Sequence, residues 1–490
     1  MTDRNVRRPN VVLFNPDQWR GDVLGHVGNL AAVTPTLDRM VAEDAVSFTN
    51  AFCQNPVCTP SRTSFMTGWY PHVRGHRTMH HMLQPDEPNL LRTLKQEGYT
   101  VWWGGKNDLV PAQRGFEDHC DVKNTVPEET LPLFGGRSDP ETDPDFYRFF
   151  VGRLDTPDGT DHYPDSDWAH VHAAIDFIRA ADPDQPFCLY LPLTYPHPPY
   201  AVEDPWYSMI DRDALPTRVP APDWTDKPSI LPGIQAAQGG DWPEKKWNEL
   251  RATYYAMCAR VDHQLSLILG ALREAGAYDD TAVFVFPDHG DFTGDYGLVE
   301  KTQNTFEDCL TNVPLVVKPP ASIPVRARTC EALVELIDMP ATVEELSGIT
   351  PEHTHFGRSL VPLLTAETDE HRDAVFCEGG RLQDEEHAME LQSASSQSRP
   401  EESRYWPRMR LQSSPGPEHT KAAMCRTRDY KYVRRLYEKD ELYDLRSDPQ
   451  ELVNRIDDPA LAPVRSLLTD RLLTWYQETA DVVPHRGDQR

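Results

Sequence analysis

The sequence predicts an α/β protein: a large, mostly parallel sheet flanked by helices on both faces, with a smaller C-terminal α+β subdomain of strands and a helix. Three observations predict it. Short apolar runs alternate with amphipathic helical patterns, which is how strands covered on both faces are spaced. The chain has 490 residues, enough for one large domain plus a smaller one. After Thr420 the alternation gives way to successive strand-like runs and a terminal helix.

In chain order, apolar runs mark strands at Asn10–Phe14, Thr100–Trp103, Phe187–Leu193, Ala282–Phe286 and Pro314–Val317. Pro35–Glu43 is a predicted helix with Thr34 as its N-cap, and Asn89–Glu97 another, stopped by Gly98. A third runs about Asp167–Arg179, with Trp168, Val171, Ala174, Ile175 and Ile178 on one face. A long one covers Lys245–Ala275. Pro127–Asp165 is rich in Pro, Asp and Gly, and Asp384–Thr420 is polar with little periodicity; both are expected as insertions or loops that wall a pocket. Ala423–Arg435 and Glu441–Leu445 have strand character and Pro463–Thr479 helical character. The expected division is 1–365 for the catalytic α/β domain and 366–490 for the antiparallel-sheet subdomain. There are no internal repeats.

Lysine plus arginine is 49 against 77 for aspartate plus glutamate, a formal charge of −28. Such a chain is a poor partner for nucleic acid or an anionic membrane surface, and an anionic substrate would need a locally basic pocket. Nine cysteines, an odd number with no dense framework, fit reduced thiols inside a cell. Met1–Arg8 is polar and basic, and the apolar run Val11–Phe14 is too short for a signal-peptide core. No stretch approaches the length of a membrane span, so the expected location is cytoplasmic.

The most informative run is Cys58-Thr59-Pro60-Ser61-Arg62-Thr63-Ser64-Phe65-Met66-Thr67-Gly68. Pro60 suits the first position of a helix, which would put Cys58 just before the helix start, beside free N–H groups and the positive end of the dipole, where anions bind. Arg62, one turn in, offers a fixed fork of donors for a tetraoxo anion. A lone cysteine before a helix could equally be a buried structural thiol.

In open α/β sheets ligands sit beyond the carboxyl ends of strands. Polar residues follow each predicted strand there: Asp17 after the first, Lys106 and Asp108 after the second, His197 after the third, Asp288 and His289 after the fourth. Lys301 follows a glycine-containing loop, Gly294-Asp295-Tyr296-Gly297. Singly, each has an ordinary explanation as a turn cap, a packed loop histidine or a solvated lysine; together they map to one edge of one sheet.

The run beginning at Cys58 closely resembles the signature of the type I sulfatases, in the alkaline phosphatase superfamily, and the strand-end residues match that family's pattern in order over nearly the whole chain. The resemblance implies that Cys58 is oxidised to formylglycine by a formylglycine-generating enzyme, and that a hydroxyl of the hydrated aldehyde is the nucleophile. It also implies one divalent cation held by Asp17, Asp288, His289 and an oxygen from modified Cys58. Carboxylate-rich sites favour hard cations, Ca²⁺ first and Mn²⁺ next. Arg62, Lys106 and Lys301 are then expected to offset charge on the sulfate oxygens, and His197 to protonate the departing alcohol, with sulfate finally leaving by elimination. The run Thr427–Leu452 resembles the family's small C-terminal antiparallel sheet with its packed helix, which implies that arrangement for 366–490, and the implied activity is hydrolysis of an aryl, alkyl or carbohydrate sulfate monoester.

Two positions depart from the commoner pattern. Pro16 stands where sulfatases often carry a second aspartate, and Asp108 where many carry histidine. A single first aspartate with an Asp-His pair resembles the choline sulfatase and phosphonate monoester hydrolase branches. The alternative activity is therefore phosphonate or phosphate ester hydrolysis on the same scaffold; a catalytically silent binding protein is a more distant one. Asp108, as a base or a substrate contact, and His76, from the cluster His72, His76, His80 and His81, are the expected substrate-binding residues.

Overall fold

The computed structural model describes residues 8–126, 141–157, 159–238, 242–391 and 399–485. Parts of the expected loops Pro127–Asp165 and Asp384–Thr420, and most of Met1–Arg8, lie outside the described residues.

β1 (Asn10–Asn15) is buried along its length. Its side chains alternate between two cores, Val12 and Phe14 in one and Val11 and Leu13 in the other, because successive residues of a strand face opposite sides of the sheet. A strand covered on both faces reads as an unbroken apolar run. α1 (Pro35–Glu43), β2 (Val46–Phe52), α2 (Cys58–Thr67) and α3 (Leu90–Gln96) follow. Then come β3 (Thr100–Gly104), β4 (Val122–Asn124), β5 (Phe150–Leu154) and α4 (Ser166–Ala180). β6 (Phe187–Pro192), β7 (Tyr200–Glu203), the long α5 (Glu244–Glu274) and β8 (Thr281–Val285) complete the central layers. β9 (Asn312–Val313), β10 (Val316–Lys318), β11 (Arg328–Glu335) and α6 (Asp338–Ser347) close the large sheet. The C-terminal part holds β12 (Val375–Gly379), α7 (Trp406–Gln412), β13 (Ala422–Arg426), β14 (Tyr430–Arg435), β15 (Glu441–Asp444) and α8 (Ala462–Thr479).

The large sheet runs β11-β2-β10-β8-β1-β6-β3-β4, with β9 added on β2. Its centre, β8-β1-β6-β3, is parallel, with Val12 opposite Leu189 on one side and Val283 on the other. α1, α4 and α5 cover one face through residues such as Met40, Trp168, Val171 and Leu265. α2, α3 and α6 cover the other through Phe65, Leu91 and Val343. The four central strands therefore end at one edge. A second, antiparallel sheet, β12-β13-β14-β15, packs Phe376 and Tyr432 against Leu468, Leu472 and Trp475 of α8.

Several sequence expectations shift. The strand expected at Pro314–Val317 is Val316–Lys318, and it runs antiparallel to both β8 and β2. Ala423–Arg435 is two strands, turned where Thr427 N donates to Tyr430 O at 2.9 Å. β2 and β11, a parallel pair, escape the sequence pattern because Thr49 and Asn50 interrupt the first and Arg328, Glu331 and Glu335 the second. Thr34 occupies the N-cap of α1 but its hydroxyl donates instead to Asp38 at 3.1 Å; the free N–H groups of Thr36 and Leu37 are taken by the Asp262 carboxylate of α5, each at 2.9 Å. Asn89 does cap α3, accepting from Arg92 N at 3.1 Å.

Candidate active site

α2 begins at Cys58 itself, two residues earlier than Pro60 suggests. The first intrahelical bond runs from Ser61 N to Val57 O at 3.2 Å, so Pro60 takes the third position, where a missing N–H also costs nothing. Gly68 ends the helix in the left-handed region, with φ 71°. Cys58 lies buried at the positive end of the dipole. Its Sγ is 3.2 Å from His289 Nε2, 3.6 Å from Lys106 Nζ and 3.7 Å from Asp17 Oδ1.

Asp17 leaves the end of β1 and Asp288 and His289 the end of β8. Ligand atoms of Asp17, Cys58, Asp288 and His289 all lie within 4.8 Å of one another, every residue buried. His289 Nδ1 is 2.9 Å from Gly290 O, so that nitrogen carries the proton and Nε2 turns its lone pair to the cluster. Two carboxylates and an imidazole lone pair thus converge beside the Cys58 thiol, with His289 Nε2 3.7 to 3.8 Å from the aspartate oxygens. That donor set fits a divalent cation.

Arg62 overturns its expected orientation. It is fully buried, and its fork faces the cluster's own carboxylates: Nε donates to Asp288 Oδ2 at 2.9 Å, Nη2 to Asp17 Oδ2 at 2.8 Å and Nη1 to Asn15 Oδ1 at 2.9 Å. Every nitrogen is committed to a buried acceptor, two of them to the carboxylates of the cluster. Ser61 Oγ adds a bond to Asp288 O at 2.6 Å.

The two lysines do face the cavity. Gly105, with φ 113°, passes so close to β6 that a Cβ would sit 2.0 Å from Pro192 O, and Lys106 N donates to that carbonyl at 2.9 Å. This contact aims Lys106 Nζ at Asp17 (2.6 Å) and Asp108 (2.9 Å). Burial works to lower the Lys106 pKa, but Asp108 and Asp17 outweigh it and hold the ammonium charged. Lys301 Nζ contacts Gln18 Oε1 at 2.6 Å and Glu300 Oε1 at 2.9 Å, and is likewise held charged against burial by the carboxylates of Glu300 and Asp17. Burial raises the Asp17 pKa, yet Lys106, His197 and Arg62 bring it well below the usual range. Burial, then the Asp17 charge, pushes the Cys58 thiol far up, so the unmodified side chain is a neutral thiol and not an activated thiolate.

His197 is buried beyond the end of β6. Its Nδ1 lies 2.5 Å from Pro198 O and its Nε2 3.2 Å from the Tyr405 hydroxyl. Burial and the Lys301 charge keep it well below the ordinary histidine pKa, hence neutral. Cys58, Lys106, Asp108, His197, Lys301 and Tyr405 line a cavity of about 530 Å³. Phe149, from one expected insertion, and Tyr405 with Arg408, from the other, complete its wall. His76 is not in that lining; its ring nitrogens are taken by Glu87 Oε2 at 2.8 Å and His81 O at 3.0 Å. The structure thus brings together all the expected residues except His76.

Sequence reasoning missed Asn15, Gln18, Tyr405 and Arg408. Asn15 and Gln18 flank Asp17, and their signal was that position: Gln18, at φ 69°, donates its N–H to Asp288 Oδ1 at 3.0 Å. Tyr405 and Arg408 sit on a helix of two turns inside a polar segment, too short for its period to register.

A sulfatase family model matches residues 9–349. Arylsulfatase K of Danio rerio is 28% identical, over 73% of this chain and 68% of its own. A multifunctional alkaline phosphatase superfamily protein of Trinickia caryophylli is 25% identical over 97% of this chain and 96% of its own. Among solved structures, the phosphonate monoester hydrolase of Agrobacterium radiobacter superposes with TM-score 0.75 at 24% identity, covering 98% of this chain and 100% of that one. A 2-O GAG sulfatase superposes with TM-score 0.70 at 20% identity, covering 96% and 93%.

Proposed function

Given that the chain belongs to the sulfatase family of sulfuric ester hydrolases, we propose that it hydrolyses a sulfate monoester through a formylglycine made from Cys58 and one divalent metal. The observation that carries this is the buried meeting of Cys58, at a helix start, with Asp17, Asp288 and His289, beside two charged lysines that open onto a cavity. Asp17, Asp288 and His289, with the modified side chain of residue 58, would hold the metal, Ca²⁺ first and Mn²⁺ next. When bound, the metal supplies Lewis-acid polarisation of the ester and of the nucleophilic hydroxyl.

The remaining work falls to side chains. Arg62 keeps Asp17 and Asp288 in their ligating orientation. Lys106 and Lys301 bind the sulfate oxygens and offset the charge that builds on them. His197, together with Lys301, serves the departing oxygen. Asp108, paired with Lys106, is placed to accept a proton or to contact the alcohol part of the substrate. The partner this chemistry requires is a formylglycine-generating enzyme.

One observation favours a second activity. A cluster of two aspartates and one histidine has one carboxylate fewer than the commoner sulfatase set, which suits phosphonate or phosphate esters as well. Turnover of matched aryl sulfate, phosphate and phosphonate esters decides between them. A kcat/KM highest for the sulfate is expected; a preference for the phosphonate of about 10-fold or more, about 1.4 kcal/mol in transition-state binding, would reverse the assignment.

A further inference from the structure

Two residues at the start of α7 reach groups supplied by other elements. His197 Nδ1 lies 2.5 Å from Pro198 O and so donates to it, which leaves Nε2 to accept from the Tyr405 hydroxyl at 3.2 Å. Three residues on, Arg408 is buried, pairs with Glu300 and with both oxygens of Glu390, and donates from Nη1 to Lys301 O at 2.7 Å. Glu300 carries the link onward to Lys301 Nζ at 2.9 Å, Lys301 to Gln18 Oε1 at 2.6 Å, and Gln18 N to Asp288 Oδ1 at 3.0 Å. One polar chain thus runs from α7 to the metal-ligand cluster, and a second contact runs from α7 to His197. Arg408, Glu300 and Glu390 are each at most 6% exposed, so water screens these pairs little.

We propose that Tyr405 and Arg408 are positioning residues for the leaving-group half of the site, Tyr405 acting through His197 and Arg408 through Lys301. This rests on the sulfate-ester assignment. The nucleophilic hydroxyl oxygen of modified residue 58 bonds to sulfur, its proton passing to water, as the S–O bond to the alcohol breaks with its electron pair on the departing oxygen. That oxygen takes a proton from His197 Nε2, a proton that enters from water as the anionic substrate binds, and His197 returns to its neutral form. The Tyr405 hydroxyl sets the rotation of the ring by donating to the bare Nε2 at both ends of this cycle, and yields that position to the departing oxygen while Nε2 carries the proton. Arg408 fixes the carbonyl and the carboxylate on either side of Lys301.

The test uses the full-length, formylglycine-bearing enzyme with 4-nitrophenyl sulfate, phenyl sulfate and a primary alkyl sulfate, in order of worsening leaving group. A residue that aims a proton matters more as the leaving group worsens. Tyr405→Phe, which keeps the ring and removes only the hydroxyl, is expected within about 3-fold of wild type on 4-nitrophenyl sulfate but down about 30- to 100-fold on phenyl sulfate, up to the lower end of general-acid effects. Combining it with His197→Gln should add little further loss, since both act through one proton. Arg408→Lys should show the same steepening, and Tyr405→Phe carries the test if that variant folds poorly. An equal loss across the three esters, or fully additive losses in the double variant, overturns the proposal. A wild type inert to all three sulfates yet active on phosphonates overturns the sulfate assignment itself.

Discussion

At the scale of single residues, Arg62 is the instructive case. Its place one turn into α2 is what the sequence indicates, but spacing does not say which way a side chain turns. Asn15, Asp17 and Asp288, all buried around it, supply three acceptors, and a guanidinium without exit to water has to satisfy its donors there. Arg62→Lys keeps the charge and loses the fork, so it should weaken metal binding about 10- to 100-fold, as removal of ligand-orienting partners commonly does. Metal titration followed by bound-metal stoichiometry measures this. An anion clamp would instead leave metal affinity untouched and raise KM. Cys58→Ser should lower kcat/KM by at least about 10³-fold, measured with 4-nitrophenyl sulfate; a serine variant made in the same host that kept wild-type turnover would contradict the assignment.

At the scale of elements, the central strands were legible because burial on both faces writes an apolar run, and the polar residues after β1, β3, β6 and β8 were legible because each strand end reaches the same edge. β2 and β11 were not, since their polar and charged residues break the run, and α7 was not, since two turns are too few for a helical period to stand out. The start of α1 shows a further limit: its cap comes from Asp262, remote in sequence and near only in the fold. Burial pushes that carboxyl up to about 6, above the ordinary aspartate value of about 4. A raised acid pKa means that the protonated form is favoured by folding. Its contribution is full below about pH 4 and is lost as pH rises through about 6. Wild type should therefore lose about 2–3 kcal/mol relative to Asp262→Asn between about pH 4 and pH 7. Denaturant unfolding of both proteins at the two pH values checks the sign, and parallel curves would contradict it.

At the scale of the whole molecule, a chain of net charge −28 builds a pocket with two charged lysines by pairing each with a buried carboxylate, Lys106 with Asp17 and Lys301 with Glu300. The C-terminal part is joined to this site through α7. Among the described residues no helix is long and apolar enough to cross a membrane, and all nine cysteines are free. Asp17, Asp288 and His289 come from the ends of two neighbouring strands, so a metal bound there is bound only by the folded chain. Chelation should consequently lower Tm, and adding Ca²⁺ or Mn²⁺ at about 1,000 times its Kd should restore about 4 kcal/mol. Calorimetric scans with chelator and with each metal measure this; an unchanged Tm would argue against a metal in the cluster.

The account turns on one atom, the sulfur of Cys58. Its most direct test is the mass of the tryptic peptide 40–62, which contains Cys58, from enzyme isolated in an active form. Conversion of the thiol to the aldehyde exchanges H₂S for O and should leave the peptide about 18 Da lighter, reactive toward hydrazides and carrying one alkylatable thiol, Cys53, instead of two. A peptide of unmodified mass, alkylated in full at Cys58, from protein that turns over sulfate esters would contradict the account.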